Sequence, residues 1–212
     1  MRRLPVYLLL DTSGSMMGEP IEAVKNGVQT MVSALRQDPY ALETAYLSII
    51  TFNSSASQPV PLTELTSFQT PSIDASGTTS LGAALSLLAQ RAEVEVNKTT
   101  AEQKGDWKPI VFIMTDGMPT DDWQKGLSDF QKQRWGMVVA CAAGQAVDTT
   151  ILKQITEVVV QLDTADSSSF KAFFKWVSAS ISTSSAKIEE GGKEVGGLNE
   201  LPPPPPEVNV VV

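Results

Sequence analysis

The chain of 212 residues carries 24 acidic and 16 basic side chains, a formal net charge of −8, with no histidine and one cysteine. Those counts exclude imidazole acid/base catalysis, Ser-His-Asp and Cys-His nucleophilic arrangements and a conventional zinc centre. The acidic balance, without any block of lysine or arginine, argues against a nucleic-acid surface, and the lack of a phosphate loop or a G-x-G-x-x-G fingerprint leaves nucleotide binding without support.

Met1-Arg2-Arg3 followed by apolar residues superficially resembles the start of a secretory signal. The apolar run Leu4 to Leu10 is short, contains Pro5 and leads into Asp11-Thr12-Ser13-Gly14-Ser15 instead of a small-residue cleavage site, so it reads as a first, buried strand. No segment approaches the ~20 apolar residues that crossing a bilayer requires. With no disulfide framework either, a soluble cytoplasmic protein is expected. The Asp11 carboxylate and the Ser13 and Ser15 hydroxyls then fall at the carboxyl end of the strand, where open α/β sheets bind ligands. Hard oxygen donors, only one of them charged, suit a small divalent cation that keeps part of its water shell, as Mg²⁺ does. A plainer reading stands beside this one, because short Asp/Ser/Gly stretches also cap helices and make turns.

Farther along, Ile21, Val24, Val28, Met31, Val32 and Leu35 recur at helical spacing, with Pro20 acceptable in the first turn. A strand follows at about Thr44 to Phe52, and Ser57 to Leu62, which contains Pro59 and Pro61, belongs at a sheet edge if extended. The polar turn Ser76 to Gly82 opens a helical stripe of Leu81, Ala84, Leu85, Leu88 and Ala92. Ile110 to Met114 is a second apolar strand, and it ends in Thr115-Asp116-Gly117, a second carboxylate at a strand's end. A helix around Asp122 to Arg134 is expected, interrupted by Gly126. Met137 to Ala143, which holds Cys141 as a core residue, and Val158 to Leu162 supply two more strands. Ser167-Ser168-Ser169 offers a cap for a last helix whose face of Phe170, Phe173, Phe174, Val177 and Ile181 reads as core.

The composition changes near Ser184, dividing the chain into a domain of residues 1–183 and a Gly/Pro-rich tail of residues 184–212. Pro202 to Pro206 must take an extended polyproline course, either as a solvated spacer or as a preformed rod for an aromatic groove. Val208, Val210, Val211 and Val212 gain little by remaining in water. They are expected to add to a sheet edge or to contact a partner or another copy of the chain.

Taken together, Asp11-x-Ser13-x-Ser15, the threonine of the Ser76 to Gly82 turn and Asp116 resemble the metal-ion-dependent adhesion site (MIDAS) of von Willebrand factor A (vWA) domains, at all five positions and in order. The resemblance covers about Leu4 to Thr183. It implies an α/β fold with a doubly wound, mostly parallel, six-stranded sheet, one antiparallel edge strand and helices on both faces, Rossmann-like in layout. It further implies that Ser13 and Ser15 coordinate Mg²⁺ or Mn²⁺, that Asp11 and Asp116 act directly or through water, and that Thr78 joins in the ligand-bound state. Thr79 takes that role if the loop register differs by one. An open coordination position would accept an Asp or Glu carboxylate from a partner protein, which suits a site with only two charged ligands.

Within that superfamily, Leu8 to Met16 and Met114 to Asp121 look most like the tellurium-resistance TerY proteins of bacteria. That likeness implies a cytoplasmic stress-response protein, non-enzymatic, with no nucleic-acid or membrane partner and with an associated kinase and phosphatase. The alternative is a Mg²⁺-dependent phosphoryl-transfer enzyme of haloacid-dehalogenase type. That chemistry expects a second aspartate where Ser13 stands, and a phosphate-steadying lysine for which Lys104 and Lys108 are unremarkable candidates.

Overall fold

An apolar run without alternation is stable only in a sheet covered on both faces. In the computed structural model, which describes residues 2–145, 147–192 and 197–211, Leu4–Asp11 (β1) is such a strand and is buried along its whole length. The other strands are Ala45–Phe52 (β2), Ala56–Glu64 (β3), Ile110–Thr115 (β4), Met137–Ala143 (β5), Val158–Leu162 (β6) and Val208–Val211 (β7). They form one sheet in the order β3-β2-β1-β4-β5-β6-β7. The helices are Glu19–Leu35 (α1), Pro39–Thr44 (α2), Leu81–Glu95 (α3), Trp123–Gln131 (α4), Thr149–Ile155 (α5) and Ser167–Gly191 (α6). None of them, among the described residues, is long and apolar enough to cross a membrane.

The two-residue period of β1 divides the core. Leu4, Val6, Leu8 and Leu10 face the layer of α1 and α6, while Tyr7 and Leu9 face the layer of α3, α4 and α5. The helical stripes of α1 and α3 and the aromatic face of α6 are all buried as the sequence predicts. Two close approaches fix the layers. A Cβ on Gly27 of α1 would lie 2.2 Å from Phe174 Cδ2 of α6, and one on Gly126 of α4 would lie 2.2 Å from the Gly82 carbonyl oxygen at the start of α3. Gly126 therefore does not interrupt α4; it lets α4 rest on α3.

The doubly wound, mostly parallel fold is as expected, but the strand count is corrected from six to seven, with two antiparallel edges instead of one. β3 is the expected edge, with Pro59, Pro61 and two register shifts against β2. The second is the chain's own tail: β7 pairs with β6 from Val208↔Leu162 to Val211↔Val159 and buries Val208. The tail is thus held in cis. Trp176 Nε1 donates to the Pro202 carbonyl at 2.9 Å, and Leu201 is buried beside it. Gly196 and Val212, part of the tail expectation, lie outside the described residues.

Helix α6 is capped by Asp166, whose side chain accepts from the Ser169 amide at 2.9 Å, so the expected serine cap is displaced to the preceding acid. It continues across Ser184 to Gly191, where Gly192 closes it at φ 59°. The polar sequence there is helical with Ser180, Ser184 and Ser185 buried, and two of these hydroxyls turn back on the helix. Ser180 Oγ donates to the Trp176 carbonyl and Ser184 Oγ to the Ser180 carbonyl, each at 2.8 Å.

Candidate metal centre

β1 and β4 are parallel neighbours, with Leu10 opposite Met114, so the loops that follow them leave the sheet side by side. Asp11 is fully buried at this junction. Its Oδ1 accepts from the Ser13 amide at 2.8 Å and its Oδ2 from Thr115 Oγ1 at 2.6 Å. Ser13 Oγ lies 3.0 Å from Ser15 Oγ, and Ser15 Oγ donates to Asp116 Oδ1 at 2.7 Å. Four of the five sequence-predicted site residues are therefore joined in one chain of hydrogen bonds.

The third loop is sewn to the first through the backbone. The Ser76 amide donates to the Thr12 carbonyl and the Gly14 amide to the Gly77 carbonyl, each at 2.9 Å. A Cβ on Gly14 would sit 3.2 Å from that same Gly77 oxygen, which explains a residue without a side chain inside the motif. Thr78 comes to this edge but is exposed. Its amide and its hydroxyl both donate to Ser54 Oγ, at 3.1 and 3.3 Å. Thr79 is buried, its backbone paired with Thr120, and its Oγ1 would be 3.4 Å from a Cβ on Gly117.

Sequence reasoning assigned no role to Thr115 or Ser54. Thr115 was visible as the last residue of an apolar strand next to Asp116, a position whose hydroxyl needs a buried acceptor. Ser54 gives no local signal, since its partner lies 24 residues away. Asp121 accepts from the Gly82 and Ala83 amides at 3.0 and 2.8 Å, holding the first turn of α3 from the β4–α4 loop.

Burial raises the Asp11 carboxyl above its ordinary value, against the hydrogen bonds from Thr115 and Ser13. Burial likewise raises Asp116; the Ser15 bond opposes the shift and the Asp11 charge adds to it. Among the described residues neither carboxylate forms an ion pair. Two desolvated acids beside one another, with hydroxyl oxygens and no cationic side chain, make a donor set that fits a hard divalent cation. No group of three or more His, Cys, Asp or Glu that could hold a metal occurs among the described residues, so the fit depends on the Ser13 and Ser15 hydroxyls. Around the cluster, Met16 is fully buried, whereas Met17 (65% exposed) and Met118 (48% exposed) stand out from the loops that follow β1 and β4.

The model of the von Willebrand factor type A domain matches residues 6–175. Solved structures share the fold at low identity. A von Willebrand factor type A protein from Catenulispora acidiphila has 15% identity and a TM-score of 0.65, over 86% of this chain and 43% of that one. Proximal thread matrix protein 1 from the mussel byssus, with a zinc-occupied MIDAS motif, has 18% identity and a TM-score of 0.60, over 84% and 48%. BatB from Bacteroides thetaiotaomicron, a conserved hypothetical protein, has 18% identity and a TM-score of 0.52, over 82% and 97%. The chain spans under half the length of the first two. Comparison with curated proteins yields no match.

Proposed function

The chain belongs to the von Willebrand factor type A domain family, and on that premise we propose that it is a non-enzymatic, metal-dependent protein-interaction module. The observation that carries the reading is the hydrogen-bonded cluster of Asp11, Ser13, Ser15 and Asp116 at the carboxyl ends of adjacent parallel strands, with two carboxylates that form no ion pair among the described residues. Ser13 and Ser15 would hold the ion through their hydroxyls, and Asp11 and Asp116 directly or through water. Thr78 would join when a ligand is bound. When present, the ion supplies a positive centre with a coordination position open to an anionic oxygen, and a partner's Asp or Glu side chain is the donor we assign to it. Oxygen donors without histidine or cysteine favour Mg²⁺ or Mn²⁺. The zinc-occupied MIDAS of the mussel protein supports a divalent occupant in this fold.

The protein's setting is read from its TerY-like segments: a cytoplasmic component of a bacterial tellurium-resistance or stress-response system, working with an associated kinase and phosphatase. No observation favours phosphoryl transfer. Ser13 stands where the second aspartate is needed, and its amide is engaged by Asp11. The test is an affinity pull-down of the intact protein and Asp11→Ala, each with Mg²⁺ and with chelator. Partners retained only by the wild type with Mg²⁺ support the reading, and a metal-independent set identical in both proteins refutes it.

A further inference from the structure

We propose that the cleft at the amino end of the parallel strands, remote from Asp11 and Asp116, docks an acidic segment of a partner protein through Arg2, Arg134 and the indoles of Trp107 and Trp135. The cleft has a volume of about 550 Å³ and is formed where α3 and α4 end and where β4 and β5 begin. In a chain of net charge −8 its walls hold five basic side chains, Arg2, Lys98, Lys108, Lys132 and Arg134, against two acidic ones, Glu93 and Asp106.

Local pairing accounts for part of this charge. Glu93 pairs with Lys98 and accepts from Gln133. Asp106 is bound by Arg3 at 3.0 Å and by the Asn97 amide at 2.7 Å, and Lys132 pairs with Asp129 at 2.7 Å. Lys98 and Lys132 also follow the carboxyl ends of α3 and α4, where cations are favoured by the helix dipole. Arg2 and Arg134 are different, since among the described residues neither has an ion pair. The Arg2 guanidinium is fixed 3.6 Å from the Trp107 ring centroid and donates to the Gly105 carbonyl at 2.6 Å, contacts that hold the group without neutralising it.

Trp135 is fixed as well. It stacks on Phe130 with ring centroids 4.8 Å apart and donates through Nε1 to the Phe130 carbonyl at 2.9 Å. Both indoles are half-buried while lining the cleft. Rigid tryptophans beside arginines are the composition of interface hot spots, because large contact area and bidentate carboxylate recognition come with little side-chain entropy left to lose. The charge selects acids, and the indoles offer a surface for an apolar side chain among them. Through Arg2, Asn97, Lys98 and Asp106 the cleft is shared with a neighbouring groove that adds Arg3 and Lys104, a length that suits an extended chain better than a small anion.

The test is tryptophan fluorescence of the full chain titrated with an acetylated Glu-Glu-Leu-Glu-Glu peptide in the presence of chelator. The expected result is a saturable change in the wild type that persists in Asp116→Ala, so that the outcome does not depend on the metal site. Arg134→Glu and Arg2→Glu should each weaken binding about tenfold or more, and salt of about 1 M should abolish it. Absence of a saturable change in the wild type, or wild-type affinity in both charge-reversal variants, overturns the proposal. Equal affinity for inorganic phosphate or ADP also overturns it, by making the cleft a small-anion site.

Discussion

Ser15 Oγ donates to Asp116 Oδ1 at 2.7 Å, and this bond joins two loops whose residues lie 101 positions apart in sequence. It is made possible by the parallel pairing of β1 with β4, which brings the ends of both strands to the same edge. A hydroxyl that donates to a carboxylate still has lone pairs for a cation, so the bond would preassemble the proposed donor set without consuming it.

Thr115 acts one step behind the proposed ligands. Its hydroxyl holds Asp11 Oδ2 at 2.6 Å in a buried setting. Thr115→Val keeps the shape and removes the donor, and should weaken Mn²⁺ binding by about tenfold, as is usual for groups that orient metal ligands. Thr115→Ser should retain most of the affinity. Equal Mn²⁺ affinity in the Val and Ser variants, measured by calorimetry, would show that the bond serves packing alone.

The α3–α4 contact has no room for a side chain. A Cβ on Gly126 meets the Gly82 carbonyl oxygen at 2.2 Å and its Cα at 2.5 Å, and both are backbone atoms that cannot rotate away. Gly126→Ala should therefore destabilise the fold by about 2 to 3 kcal/mol, despite alanine's better helix propensity. Urea denaturation reads this directly. A midpoint at or above that of the wild type would mean that the helices separate freely.

The tail contributes to stability because it lies on the domain. Leu201 and Val208 are each buried, and β7 adds a ladder to β6. Deletion of residues 198–212 should cost about 3 kcal/mol, the scale of burying two aliphatic side chains. An unchanged melting temperature would return the tail to a solvated rod. The pairing of β7 with β6 opposes the reading of the tail as a solvated spacer.

The alternation of buried strands and helical stripes was readable because each element carries its own period, and the convergence of Asp11 and Asp116 was readable because each ends an apolar run. The tail strand was legible only as one of two alternatives, a sheet edge or a partner contact, since Val208 to Val211 is short and the choice depends on an unpaired β6 edge that local sequence does not display. The crossing of Ser184 by α6 was hidden for another reason. Ser180, Ser184 and Ser185 look like linker composition, yet all three are buried. Helix α2 did leave a signal, Asp38-Pro39, where the acid accepts from the Ala41 amide at 3.1 Å and proline occupies the first turn.

The cap of α6 carries a pH dependence with a defined sign. The hydrogen bond from Thr164, followed by that from the Ser169 amide, lowers the Asp166 carboxyl below its ordinary 3.8. The folded state thus favours the ionised form. Its stabilising effect is present above the unfolded value and is lost as the pH falls through the lower folded one. Asp166→Ala should cost about 1 kcal/mol near neutral pH, and the gap from wild type should close as the pH falls through the lowered value of the folded carboxyl. A gap that stays constant down to acid pH would show that the ionised cap is not the source of the effect.

Calorimetric titration of Mg²⁺ and Mn²⁺ into the wild type, Ser15→Ala and Asp116→Ala tests the central claim most directly, with circular dichroism to confirm that each variant is folded. The account predicts a single site of modest affinity in the wild type, weaker binding in Ser15→Ala and none in Asp116→Ala. Undiminished binding in a folded Asp116→Ala, or no binding in the wild type, would contradict it.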